Sequence, residues 1–324
     1  MTTIAITHAV SELDRFFDAD DLARLRSAAD VRMLGGNKRE LVLPQLAEVD
    51  MLLGSWGMLK LDSELLAAAP LLRAVCYAAG SVKDFVTPES YARNVLITTA
   101  MHVNAVPVAE VTVALITLAN KGWFRAQAGM RQACRLPDVK HVGNFRTTVG
   151  LIGYGAICRL VVETLRHTDL RVLAYDPYAK DLPAHVEHVS NLLDLARRSD
   201  VVSLHAPDIP ATNGMCGRAF FQAMRDGATF INTARGKLVD EGALIAELKT
   251  GRIEAHLDVT HPEPPLADSP FWTLPNVYLT PHLAGSSSHE VRRMGRMAIS
   301  ECLALIAGQQ TRYPVTQDML ATMA

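Results

Sequence analysis

The chain has 324 residues, too many for one ordinary core and enough for two domains. Hydrophobic residues make up 49% and charged residues 20%, with a net charge of −2, a globular composition with no electrostatic footprint for nucleic acid or an anionic membrane. The five cysteines (Cys76, Cys134, Cys158, Cys216 and Cys302) are scattered and form no C-x-x-C pair, which argues against a disulfide framework or a metal site and for a reducing compartment. In chain order, the first hundred residues predict a strand at 4–6, a helix at 20–28, a strand at 31–34 and a helix at 39–49. A strand at 51–53, a helix at 63–68 and strands at 72–76 and 95–98 follow. Strands separated by helices imply parallel β-α-β units. Residues 107–119 are apolar almost all round and predict a buried helix. Glu110 interrupts that stretch, so no uncharged run reaches membrane-spanning length, and the first residues lack a basic, then apolar, leader pattern. The expectation is a cytoplasmic protein with no membrane or nucleic-acid partner.

A second and stronger series begins near Thr148. Strands are predicted at 149–152, 172–175, 201–204, 229–231, 254–259 and 277–279, and a last long helix over 287–307. Six parallel strands suit a Rossmann-type doubly wound α/β sheet.

The run Gly153-Tyr154-Gly155-Ala156-Ile157-Cys158 reads G-x-G-x-x-C, between a predicted strand and a predicted helix. Gly153 permits a tight turn, and Gly155 lets a pyrophosphate approach the backbone at the helix N-terminus, where Ala156 and Ile157 supply amides. Cys158 is small enough for close helix–strand packing. Asp176 lies at the end of the next strand, where a carboxylate binds ribose hydroxyls and repels a 2′-phosphate, so NAD is the expected cofactor. A glycine turn that binds no nucleotide is the competing reading.

Further along come Asn232 to Asp240 (N-x-A-R-G-x-x-V-D), Leu257 to Pro264 (L-D-V-x-x-x-E-P) and Thr280 to Gly285 (T-P-H-x-x-G). Upstream, Asp200 to Pro207 reads D-V-V-x-L-H-x-P, and an Ala-Glu pair, Ala109-Glu110, opens the long helix. In this order and number the motifs resemble the D-isomer-specific 2-hydroxyacid dehydrogenase family over essentially the whole chain, most weakly over the first seventy residues. The resemblance implies an NAD-dependent enzyme that interconverts a 2-keto acid and a D-2-hydroxy acid. Protonating the alkoxide that hydride transfer creates calls for a general acid, and the family gives that role to His282, with Glu263 holding its ring. The planar fork of Arg235 binds the substrate carboxylate and polarises the carbonyl. Main-chain N–H groups of Ala79, Gly80 and Ser81 take the remaining carboxylate oxygen. The family also implies cofactor contacts from Ala206 and Pro207 on the adenine side, from Thr233, Ala234, Arg235 and His282, and from Asp258 at the nicotinamide end.

Each residue alone has a plainer reading: Arg235 as a surface ion pair, His282 as a turn histidine, Glu263 as a loop carboxylate, Asp258 as a strand cap. His205, and the unpaired His102, His141 and His256, are read as structural, and no metal is expected. Trp123 and Phe124 are core or a subunit contact, since the family is usually dimeric. Trp56 is a candidate aromatic lid for a bulky substrate. The sequence departs from the family at Cys158 and after the carboxylate loop, at Ser81-Val82-Lys83, where an acid is common; Asp84 follows later. By resemblance the architecture is discontinuous. Residues 1–100 with 290–324 form a flavodoxin-like substrate domain, residues 101–289 form the NAD-binding domain, and a cleft separates them. A nucleotide-sensing corepressor and a formate or phosphite dehydrogenase are the competing functions.

Overall fold

Short apolar runs that alternate with helices become two parallel sheets, each covered on both faces, as buried parallel strands require. The computed structural model describes residues 1–7, 13–134 and 143–323, so His141 lies outside the described residues. In chain order the first elements are β1 (Thr3–Ile6), α1 (Leu13–Phe16), α2 (Ala19–Ala28), β2 (Asp30–Met33), α3 (Arg39–Val42) and β3 (Met51–Gly54). Next come α4 (Ser63–Ala68), β4 (Ala74–Tyr77), α5 (Pro88–Ala92), β5 (Leu96–Thr99) and α6 (Met101–Asn120). The second series runs α7 (Trp123–Ala133), β6 (Thr148–Ile152), α8 (Ala156–Leu165), β7 (Arg171–Tyr175), β8 (Val186–His188), α9 (Leu192–Arg198) and β9 (Val201–Leu204). It continues with α10 (Arg218–Ala223), β10 (Thr229–Asn232), α11 (Glu241–Leu248), β11 (Glu254–Leu257) and β12 (Val277–Leu279), and the chain ends with α12 (Val291–Ile306) and β13 (Pro314–Val315).

The chain divides into two compact units, one of Met1–Asn104 with Ser286–Met323 and the other of Ala105–Gly285. In the first unit the strand order is β13-β5-β4-β3-β1-β2, with β13 antiparallel and the rest parallel. β1, β3 and β4 are buried along their whole length. Local caps set several helix starts. Asp62 accepts from the Leu65 N–H at 3.0 Å to begin α4, and Thr87 and Ser90 cap α5 reciprocally, with Pro88 in its first turn. The helix predicted over 39–49 is shorter: α3 ends at Val42 and gives way to a tighter turn at Leu43–Gln45, because Pro44 has no N–H with which to continue the ladder. The last helix likewise starts at Val291, after a single tight turn at Ser288–Glu290. α12 crosses α1 so closely at Gly295 that a Cβ there would lie 1.8 Å from the Phe16 carbonyl oxygen. Trp56, just after β3, is half-exposed, and its ring centre is 5.8 Å from that of Phe16.

In the second unit seven strands, one more than predicted, pair in parallel in the order β12-β11-β10-β9-β6-β7-β8. The added edge strand β8 has one buried residue, Val186, and so carries little hydrophobic signal. One face of the sheet packs on Phe220, Phe221 and Phe230, with ring centres 5.2–6.0 Å apart; the other packs on α8, where Cys158 is fully buried and its thiol is pushed well up by that burial. The 107–119 segment is not buried all round. In α6, Ala105, Val108, Ala109, Thr112, Ile116 and Ala119 form one buried face, while Val111 and Ala114 are exposed. α6 is long and apolar enough to cross a membrane by length and composition alone, but its buried face is packed within the fold. His256 is buried, stacked on Tyr278 with ring centres 4.7 Å apart and capped by Phe124 at 4.7 Å; desolvation lowers its pKa to about 4, a neutral core residue. Arg125, the residue after Phe124, pairs with the buried Glu254 at 2.7 Å, which fastens α7 to this edge of the sheet. Trp123 points outward and is 58% exposed.

Candidate functional site

In an open parallel sheet, ligands gather beyond the carboxyl ends of the strands, at the point where strand order reverses. In the second unit that point lies between β6 and β9. The turn after β6 is built on Gly153, whose φ of +89° is one an L-side chain rarely adopts; a Cβ there would sit 2.7 Å from the backbone of Ala206, just after β9. Gly155 differs, with an extended backbone and nothing within 4 Å of where its Cβ would be, so the space above the start of α8 is open. The first-turn amides of α8, at Ala156 and Ile157, have no carbonyl to bond and face that space with the positive end of the helix dipole. This cradle, open beside a glycine and lined with unpaired amides, suits a dinucleotide pyrophosphate.

Asp176, at the end of β7, holds the glycine turn. One carboxylate oxygen accepts from the Tyr154 N–H at 2.7 Å, and the other from Tyr178 (2.8 Å) and Ala179 (3.2 Å). Oxygen lone pairs remain for ribose hydroxyls. After β9, Ala206 is buried and Pro207 half-buried. The neighbouring His205 is buried, shares a 3.0 Å contact between its Nε2 and the Ser203 hydroxyl, and is driven by desolvation to a pKa of about 4, which fits a structural role.

Three adjacent strands, β10, β11 and β12, carry the remaining residues. After β10, the Asn232 side chain clamps the turn: its Oδ1 accepts from the Ala234 N–H and its Nδ2 donates to the Arg235 carbonyl, both at 3.0 Å. Arg235 itself donates through Nη1 to the Ala234 carbonyl at 2.7 Å and has no carboxylate partner among the described residues. Gly236 lies against the next loop, where a Cβ would come within 2.1 Å of the Thr260 carbonyl carbon, so only glycine brings these two loops together. Thr233 is tied from behind to Thr112 of α6, with the two hydroxyls 3.1 Å apart.

On the loop after β11, Glu263 lies between two proline residues, and its Oε1 is 2.8 Å from Nδ1 of His282, on the loop after β12. The two side chains are 43% and 48% exposed, open to an incoming molecule. His282 has a left-handed backbone (φ 54°), and its N–H donates to the carbonyls of Asp258 and Thr280, both at 3.0 Å. The buried Asp258 carboxylate gathers the whole turn, accepting from the Thr280 hydroxyl (2.5 Å), Leu283 N–H (2.8 Å) and Ala284 N–H (2.9 Å). A ring with Nδ1 on a carboxylate presents Nε2 outward for proton transfer.

In the first unit, Ala79, Gly80 and Ser81 follow β4. The Ala79 carbonyl accepts from the Ala100 N–H at 2.9 Å, and the Thr99 hydroxyl reaches the carbonyls of both Ala79 and Gly80. With the carbonyls engaged there, the three N–H groups have no partner among the described residues, an arrangement suited to an anion. The sequence motifs alone give no role to Asn232, Gly236 or Thr112. The first two stand inside the N-x-A-R-G run, and the third is a polar residue in an otherwise apolar stretch, which was its signal.

A family model described as "D-isomer specific 2-hydroxyacid dehydrogenase, NAD binding domain" matches residues 113–284. D-3-phosphoglycerate dehydrogenase from Mycobacterium tuberculosis is 32% identical over 294 residues, 89% of this chain but 55% of that protein, so the chain spans about half the length of these curated relatives. Glyoxylate reductase from Korarchaeum cryptofilum is 32% identical over 272 residues, 80% of this chain and 81% of that one. Among solved structures, a 2-hydroxyacid dehydrogenase from Ketogulonicigenium vulgare superposes with a TM-score of 0.79 at 26% identity, covering 98% of this chain and 99% of that one.

Proposed function

Because the chain belongs to the D-isomer specific 2-hydroxyacid dehydrogenase family, we propose that it is an NAD(H)-dependent oxidoreductase interconverting a small 2-keto acid and the D-2-hydroxy acid. The observation that carries this reading is the 2.8 Å Glu263–His282 contact, on loops neighbouring an Arg235 that has no acidic partner among the described residues. Bound NAD supplies or accepts the hydride at its nicotinamide ring. His282 delivers a proton from Nε2 to the oxygen that becomes the hydroxyl, and Glu263 holds the ring and balances its charge. Arg235 grips the substrate carboxylate and draws electron density from the carbonyl. The Ala79, Gly80 and Ser81 amides bind a carboxylate oxygen. Asp258, Thr233, Ala234, Ala206 and Pro207 line the cofactor, Gly153, Gly155, Ala156 and Ile157 receive its pyrophosphate, and Asp176 binds its ribose.

Residues 1–100 with 290–324 serve as the substrate domain in this reading, and 101–289 as the NAD-binding domain. The half-exposed Trp56 supports an aromatic platform for a bulky substrate side chain. Exposed Trp123 and Met130 on α7 and Val111 on α6 support a homodimer. The free cysteines Cys76, Cys134, Cys158, Cys216 and Cys302 support a cytoplasmic setting.

The test is NADH oxidation by purified protein with glyoxylate, hydroxypyruvate, pyruvate, phosphohydroxypyruvate and larger 2-keto acids. Rapid turnover of one of them is the expected result; NADH binding with no turnover across the series overturns the reading. Asp176→Ala is expected to raise the KM for NADH about tenfold while affecting NADPH less, since the carboxylate favours a free ribose over a 2′-phosphate. An unchanged NADH-to-NADPH ratio removes the ribose role.

A further inference from the structure

We propose that Glu241 is a positioning residue for the acid pair: its carboxylate holds the His261 N–H and so keeps Glu263, two residues on, against His282. This rests on the reading above, and all four residues lie in the second unit. Glu263 is 43% exposed, so packing does not fix its place, which depends instead on the loop that carries it. Of residues 261–265, three are proline (Pro262, Pro264 and Pro265), with no N–H to offer a ladder of main-chain bonds. The Glu263 N–H has no partner among the described residues. Two side chains tie the loop instead. The Thr260 hydroxyl donates to the Pro262 carbonyl at 2.8 Å, and the His261 N–H donates to Glu241 Oε1 at 2.6 Å. The first bond stays inside the loop. The second fastens it to the start of α11, 20 residues earlier in the chain. An acid in the first turn of a helix has a plainer use, offsetting the helix dipole and satisfying its free amides. In α11 that task already falls to Asp240, which accepts from the Ala243 N–H at 3.0 Å, whereas the Glu241 carboxylate reaches the loop. Glu241 is half-buried; burial raises the pKa of its carboxyl, and the His261 N–H opposes that rise by holding the charged form.

The experiment separates positioning from mere support of the helix. Glu241→Ala removes the acceptor, while Glu241→Gln keeps an oxygen for the His261 N–H without the charge. For the best 2-keto acid of the series above, Glu241→Ala is expected to lower kcat about ten- to hundredfold, the scale on which small misplacements near the chemistry act, with KM and NADH affinity retained. Glu241→Gln is expected to keep kcat. In a Glu263→Ala background the Glu241→Ala change is expected to cost little more, because residues that act through one another are not additive. A second readout needs no turnover. Ring-nitrogen NMR shifts, with His282→Ala identifying the signals, are expected to show the neutral His282 ring protonated on Nδ1 in the wild type, where Glu263 accepts, and moved toward the Nε2-protonated form in Glu241→Ala. An unmoved kcat or an unmoved tautomer in Glu241→Ala, even with a lowered Tm, overturns the proposal. So does a loss that persists in full without Glu263, or a glutamine variant as slow as alanine. If the alanine variant does not fold, Glu241→Asp, with the same charge but one methylene shorter, is judged by the same criteria. A wild-type protein that reduces no 2-keto acid overturns the underlying functional reading instead, and the tautomer shift then decides the role of Glu241.

Discussion

His282→Ala is expected to lower kcat for 2-keto acid reduction by about 10²- to 10⁴-fold, the usual contribution of a positioned general acid, with NADH affinity retained. The effect is large because the side chain is placed by several constraints at once. Nδ1 lies 2.8 Å from Glu263 Oε1, the backbone N–H is bound by two carbonyls at 3.0 Å, and φ is 54°. A non-glycine residue in that left-handed conformation costs about 1–3 kcal/mol and persists where surrounding bonds over-determine it; here the Asp258 carboxylate supplies them by gathering Thr280, Leu283 and Ala284. Alanine retains those backbone bonds, so the loop and the cofactor contacts are expected to survive and the loss to fall on proton transfer. Single-turnover reduction with bound NADH isolates that step, and a rate equal to wild type would sink the assignment of His282 as the acid.

Arg235→Ala is expected to lower kcat by about 10²- to 10³-fold, as when an oxyanion-stabilising donor is removed, and to raise KM as well. Lysine is not expected to rescue it, because a point charge cannot make the two parallel bonds of a guanidinium fork. The contrast with Arg252 is instructive. That residue is spent on structure, paired with Glu247 at 2.7 Å and Asp226 at 3.0 Å and bonded to the carbonyls of Met224 and Phe221. Arg235 is held by its backbone through Asn232 and keeps most of its fork unpaired among the described residues. Steady-state kinetics with both variants tests this. If Arg235→Ala keeps kcat/KM while losing thermal stability, Arg235 has a structural role instead.

What the sequence determined by itself was local in origin. Alternating apolar runs and helical spacing are properties of neighbouring residues, so the parallel β-α-β series, the glycine turn at 153–155 and the order of the Arg235, Glu263 and His282 motifs could be read directly. Pro44 is a local signal as well: its missing N–H ends the helix predicted over 39–49 at Val42. Tertiary structure decided whatever depended on distant partners. β8 is a strand because β7 offers it an edge, not because its own residues are apolar. Only the packed fold shows that α6 buries one face, and that its Thr112 meets Thr233 121 residues later. The same holds for Asp258, which reads as a strand-end acid in sequence and becomes the anchor of a turn 22 to 26 residues away. Glu241 reads as an ordinary first-turn acid in its own neighbourhood. Its partner is an amide 20 residues downstream, at the start of a loop whose prolines have no N–H to offer. Periodicity records which face of an element is apolar, whereas the partner of a polar atom is set by the path of the folded chain.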